Sequence, residues 1–175
     1  MNGKPKETGA LSARTAARLA AVQALYQMDI AGTDINDVIA EFFSNDMNAA
    51  GGVAADVHPD DASDIDTSGA DRQFFADVLK GVLRLQREID PMIDHQLATG
   101  WRLVRVDSIL RAVLRAGACE LIDRADVPAR VVINEYINVS RCFFSEDEPR
   151  VVNGVLDRIA RKVRAKEFET RSGSS

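Results

Sequence analysis

VPARVVINEYINVSRCFFSEDEPRVVNGVLDRIARK, residues Val127 to Lys162, reads as two amphipathic helices separated by an acidic turn. At about 100° per residue, a helix starting at Pro128 gathers Val132, Ile133, Tyr136, Ile137, Ser140, Phe143 and Phe144 into an arc of roughly 140°. In the second helix Val151, Val152, Val155, Leu156, Ile159 and Val163 fill an arc of similar width. Pro128 and Pro149 stand in first turns, where a backbone N–H has no intrahelical partner to lose. The stretch predicts a helical scaffold and carries no set of residues suited to catalysis.

The same pattern extends toward the N-terminus. Ser12 is an N-cap for a helix running to about Ala31, with Gly32 ending it. Its core arc is Leu19, Val22, Leu25, Tyr26 and Ile30. Thr33 or Asp34 caps a shorter helix through Ile35, Val38, Ile39, Phe42 and Phe43. A long helix from about Asp71 to Ile89 carries Phe74, Phe75, Val78, Val82, Leu85 and Ile89 on one face. Asp90-Pro91 predicts a break or kink there, with a short helix continuing to about Leu97. Another helix runs from about Val106 to Ile122. Within it Gly117 lies inside the apolar arc of Ile109, Leu110, Val113, Leu114 and Leu121. Glycine costs about 1 kcal/mol there against alanine, so the spacing predicts close approach of a neighbouring helix.

No segment shows sustained β-alternation, and the expected fold is all-α with about seven helices in one domain spanning residues 1–175. Residues 1–11 are expected as a flexible tail and 166–175 as another. Residues 46–70, rich in Asp, Gly and Ala with few large apolar side chains, are expected as a long disordered loop.

Composition is that of an ordinary globular protein, 46% hydrophobic and 28% charged. No apolar run is long enough to span a membrane, and no leader pattern opens the chain. Cys119 and Cys142 fall outside their helices' apolar arcs and read as unpaired, inert thiols of a cytoplasmic protein. The net charge of −5 conceals an uneven distribution. Asp46, Asp56, Asp60, Asp61, Asp64, Asp66 and Asp71 lie in a stretch without Lys, Arg or Glu. Setting them aside leaves 22 basic against 20 acidic residues. Both ends are basic, and such local charge matters more to an anionic partner than the total.

The chemistry-bearing residues exclude more than they suggest. His58 and His95 have no zinc-like spacing to a cysteine. The aspartates between 56 and 66 lack the alternation and closing Glu of a calcium loop. There is no phosphate-binding glycine motif. No catalytic residue, metal ligand or cofactor is expected. One positive feature is the flank of the first helix, where Arg14 and Arg18 lie one turn apart with Lys4 and Lys6 in the tail before them. Guanidiniums so placed can track phosphates through charge and bidentate hydrogen bonds. The C-terminal Arg158, Arg161, Lys162, Arg164 and Lys166 cover more than one face and read as a solvated helix end.

Three segments together resemble one family. RTAARLAAVQALYQ, from Arg14, is similar to the opening helix of the NusB family. ILRAVLRAGACEL, from Ile109, resembles the family's central helix. The VP…INE…EDE…VNGVLD words of the quoted stretch occur in the family's order. The resemblance covers nearly all of the chain except 46–70. It implies two packed helical bundles and a non-catalytic transcription antitermination factor. Its RNA would be the boxA element of ribosomal RNA leader transcripts, bound with the small-subunit ribosomal protein that acts as NusE. NusA, NusG and RNA polymerase would complete the assembly; a homodimer of the free protein stays open. Carried over by position, the resemblance places RNA contacts at Lys4, Lys6, Arg14, Arg18, Glu146, Asp147 and Arg150, and a protein-partner contact at Leu110 and Arg111. The alternatives are a purely structural helical adaptor, or a detached accessory domain of an RNA-modifying enzyme, since a related domain is fused to ribosomal RNA cytosine methyltransferases. The chain ends at residue 175 without an S-adenosylmethionine site, which favours the free-standing form.

Overall fold

Four helices begin where a short polar side chain receives a free N–H of the first turn. In the computed structural model, which describes residues 12–44, 69–97, 102, 106–145 and 147–169, Ser12 Oγ accepts from Thr15 N at 3.1 Å and opens α1 (Ala13–Ala31). Asp34 accepts from Asn36 N at 2.8 Å before α2 (Ile35–Ser44). Asp71 accepts from Phe74 N for α3 (Arg72–Gln96), and Asp107 from Ile109 N for α4 (Ser108–Asp123). Pro128 precedes α5 (Ala129–Arg141) without a side-chain cap. Helix α6 (Asp147–Val163) carries Pro149 in its first turn, and a 3-10 turn, Ala165–Phe168, follows. No strand occurs among the described residues. Gly32 ends α1 in the left-handed region, φ 64°, where glycine carries no Cβ penalty.

Helix α4 is the axis of the fold, packed against α1, α3, α5 and α6. It buries Ile109, Leu110, Val113, Leu114, Cys119 and Leu121 around most of its circumference, leaving a half-buried strip at Arg111, Arg115 and Ile122. Two helical groups share it: α1, α2 and α3 on one side, α5 and α6 on the other. Gly117 faces α6, where a Cβ would stand 2.7 Å from Leu156 Cδ1, so the expected close approach is present. Gly81 makes a second one between α3 and α4: a Cβ there would stand 2.7 Å from Cys119 Sγ.

The far end of α4 is closed from a distance. Arg164, just beyond α6, donates to the carbonyls of Leu121, Val127 and Arg124 at 2.7, 2.9 and 2.6 Å. These include acceptors that the end of a helix leaves unsatisfied.

Several expectations are corrected. Of the break or kink expected at Asp90-Pro91, the break is absent: α3 runs on to Gln96. Pro91 is exposed, while Ile89 and Ile93 on either side of it are fully buried and hold the two halves in one helix. Cys119 is only 3% exposed, because α3 packs closely over it at Gly81. Phe143 and Phe144 lie past the end of α5, in a turn whose N–H groups return to the Ser140 carbonyl, and still pack on the core. Ile30 is exposed, because α1 outruns the core in its last turn. The expected tail from 166 begins with ordered residues, for Phe168 packs on the core beneath Arg161 and Glu167 accepts from Ala129 N. The tail at 1–11, most of the 46–70 loop and residues 170–175 lie outside the described residues.

Candidate nucleic-acid interface

Arg14 and Arg18 leave the same helix one turn apart and meet opposite environments. Arg18 is 2% exposed and lies against Glu120 of α4, itself 1% exposed. Its Nη2 reaches Glu120 Oε1 at 2.6 Å and its Nε reaches Glu120 Oε2 at 3.0 Å, a bidentate pair. Its third nitrogen lies 3.6 Å from Glu135 of α5, which also accepts from the Thr15 hydroxyl at 2.8 Å. Burial opposes the Arg18 charge, but the Glu120 hydrogen bond and field outweigh it and hold the guanidinium protonated. The fully buried Tyr136 hydroxyl is pushed well above its ordinary pKa, first by burial and then by the Glu120 carboxylate. The expectation that Arg18 presents its charge on an exposed flank is therefore corrected: it joins α1, α4 and α5.

Arg14 does reach the surface, with 44% of its side chain exposed. It shares the Phe74 ring with two other guanidiniums: Arg14, Arg18 and Arg124 lie 5.0, 4.9 and 5.1 Å from the ring centroid. Asp126 completes the group, hydrogen-bonded by Arg124 through both oxygens at 3.0 Å and 3.9 Å from Arg14. The Arg124 hydrogen bonds, aided by both positive charges, hold the Asp126 carboxyl below its ordinary pKa.

Helix α5 separates this group from the start of α6. At about 100° per residue its buried side chains, Ala129, Val132, Ile133, Tyr136, Val139 and Ser140, share one side. The opposite side is exposed. Glu135 borders the exposed strip on one edge and is hydrogen-bonded to α1. Ile137 borders it on the other and lines an open cleft of about 310 Å³ with Arg141, Ser145, Pro149, Arg150 and Asn153. Thr15 of α1 and Arg150 of α6 thus border this face from opposite edges, while Arg14 packs on Phe74 of α3 beside Asp126. Asp147 is exposed in the first turn of α6. Lys4, Lys6 and Glu146 lie outside the described residues.

The partner-contact residues also differ from expectation. Leu110 is 2% exposed and belongs to the core. Arg111 is half-buried and paired with Asp29 of α1 at 2.7 Å. Among the described residues no cluster of His, Cys, Asp or Glu could hold a metal ion, and no helix is long and apolar enough to cross a membrane. The pattern of charge missed Glu120, Glu135 and Arg124. A glutamate within the apolar run of α4 was the available signal, because a carboxylate in such a helix needs a cation.

These features define an all-helical scaffold with exposed cationic groups on α1, α5 and α6. The NusB family model matches residues 15–161. The transcription antitermination protein NusB of Rhodopseudomonas palustris (strain TIE-1) is 49% identical over 168 residues, covering 94% of this chain and 88% of that protein. The protein of the same name from Nitrobacter hamburgensis is 52% identical over 155 residues, covering 89% of this chain and 90% of that one. The structure of T. maritima NusB superposes with a TM-score of 0.67 at 26% identity, covering 90% of this chain and 97% of that one. A structure of antitermination factors NusB and NusE in complex with dsRNA shares the fold, TM-score 0.63 at 21% identity, over 85% of this chain and 96% of that chain. The chain belongs to the NusB family of transcription antitermination proteins.

Proposed function

We propose that this protein binds the boxA element of ribosomal RNA leader transcripts together with the ribosomal protein that acts as NusE. With NusA, NusG and RNA polymerase it promotes processive transcription of ribosomal RNA operons in the cytoplasm. It works by assembly and makes no bond. The observation that supports this reading most directly is the exposed side of α5, which meets α1 at Glu135 along one edge and the cleft lined by Arg141 and Arg150 along the other. The relatives named above are transcription antitermination proteins. The solved complex of a fold relative with NusE and dsRNA points to the same kind of assembly.

In this reading Arg14, Arg150, Lys4 and Lys6 contact phosphate, and Glu146 and Asp147 present acceptors to bases or ribose at the start of α6. Arg18 serves by holding the first turn of α1 in place. The surface around Arg111 and Asp29, shaped from beneath by Leu110, receives the protein partner.

A salt titration of the full chain against boxA-containing RNA, with and without the NusE ribosomal protein, tests the proposal. Arg14→Ala and Arg150→Ala should each weaken binding and lower the slope of log K against log salt by about 1. The absence of RNA binding at low salt, with the partner present, defeats it; that result would favour a purely structural adaptor.

A further inference from the structure

Most described arginines that border this region are already committed. Arg14 and Arg124 share Asp126, Arg18 holds Glu120, Arg161 pairs with Asp157, and Arg158 donates to the Gln96 carbonyl. Arg130, Arg141 and Arg150 differ: each is exposed, and none forms an ion pair or hydrogen bond among the described residues. They are neighbours in the fold. Arg130 and Arg141 lie on the exposed side of α5, about 20° apart around its axis and roughly 16 Å apart along it. Arg141 and Arg150 face each other across the open cleft. Between the two α5 arginines the same side carries exposed Asn134 and Asn138, and exposed Asn153 lines the cleft. No carboxylate stands on the outer side of α5. Glu135, at its edge, is engaged by Thr15 and Arg18, and Glu167, at its first residue, by Ala129 N and Arg164.

We infer that the outer face of α5 is itself the track for single-stranded RNA, with Arg130, Arg141 and Arg150 on phosphates and Asn134, Asn138 and Asn153 on base edges. This rests on the RNA-binding reading and assigns to it a helix outside the basic N-terminal motif. The chemistry favours RNA over a protein partner. Guanidiniums with no counterion among the described residues are suited to bidentate phosphate binding, and a carboxamide offers a donor and an acceptor side by side, matching a base edge. A protein interface would be centred on buried apolar or aromatic anchors, and this side of α5 exposes only Val131.

Two double variants of the full chain test it. Arg130→Ala with Arg141→Ala should lower the salt slope for boxA-containing RNA by about 1–2 and weaken every RNA alike. Asn134→Ala with Asn138→Ala should leave the slope unchanged and reduce the preference for boxA over a scrambled RNA of equal length by about tenfold. All four residues are exposed, so both variants should keep the wild-type thermal midpoint, which serves as the folding control. If wild type binds and Arg14→Ala weakens it, but the arginine pair leaves slope and affinity unchanged, the track along α5 is wrong while the RNA reading stands. If the arginine pair weakens capture of the NusE ribosomal protein and leaves RNA binding intact, the face is a protein surface. If wild type binds no RNA at low salt, both readings fall.

Discussion

Arg18 shows how one residue's role depends on a partner far along the chain. On a helical wheel it sits at the edge of the α1 apolar arc, equally suited to solvent or to the interior. Glu120, 102 positions later, decides for the interior. Arg18→Met should cost about 3–5 kcal/mol in urea unfolding, because it leaves the Glu120 carboxylate buried without a cation. Adding Glu120→Leu should recover much of that loss. A single variant within about 1 kcal/mol of wild type would mean that the pair is dispensable. Arg14, one turn earlier, is limited by a counterion. Asp126→Asn should free Arg14 and leave Arg124 paired with Asp77 alone, tighten RNA binding at low salt and lose the gain as salt screens the charges. Unchanged low-salt affinity would show that Asp126 does not compete with phosphate. The family motif marked the first turn of α1 but could not separate the arginine at the surface from the one that braces it.

Helices were largely legible because caps and apolar spacing act locally. Ser12, Asp71 and Gly32 stand at the expected boundaries, and Gly117 packs as its place in an apolar arc implied. Gly117→Ala should destabilise by about 1–3 kcal/mol, since the fully buried Leu156 has little room to retreat. Leu156→Ala in the same chain should couple with it, so that the double variant costs less than the sum of the singles. Strict additivity would contradict the proposed contact. Errors arose where a tertiary contact outweighed a local rule. Proline breaks helices when nothing holds the next turn, but Ile93 is anchored in the core. Cys119 fell outside the apolar arc of α4, and the wheel could not show that α3 covers it through Gly81. The outer side of α5 drew no reading from the sequence, because its apolar stripe alone accounted for the helix.

Across the whole molecule, burial of weak acids sets the alkaline limit of stability. Burial, helped by Asp123, pushes the Cys119 thiol up to about 12, and Tyr136 is raised well above its ordinary value. For both groups the folded state favours the protonated form. Their contribution is therefore complete below the unfolded pKa and is lost as pH rises toward the folded one. For Cys119 that window runs from about 9 to about 12, with a slope of at most about 1.4 kcal/mol per pH unit. Urea midpoints measured across that range should fall, and Cys119→Ala should flatten the decline. A thiol reagent at neutral pH should modify the partly exposed Cys142 before the buried Cys119. Equal labelling rates would mean that α4 opens more readily than its burial suggests.

Arg164 gives the fold a timetable. The carbonyls at the end of α4 wait for a side chain 40 positions further on. A ribosome adding about 5–20 residues per second needs roughly 2–8 s to supply it. During that interval the central helix exists with its terminus open, and α1, already made, can dock on it before α6 does. Synthesis thus builds the wall that carries Arg14 first and closes the α4–α5 corner last. The cleft between α5 and α6 is complete only once the final helix has been made.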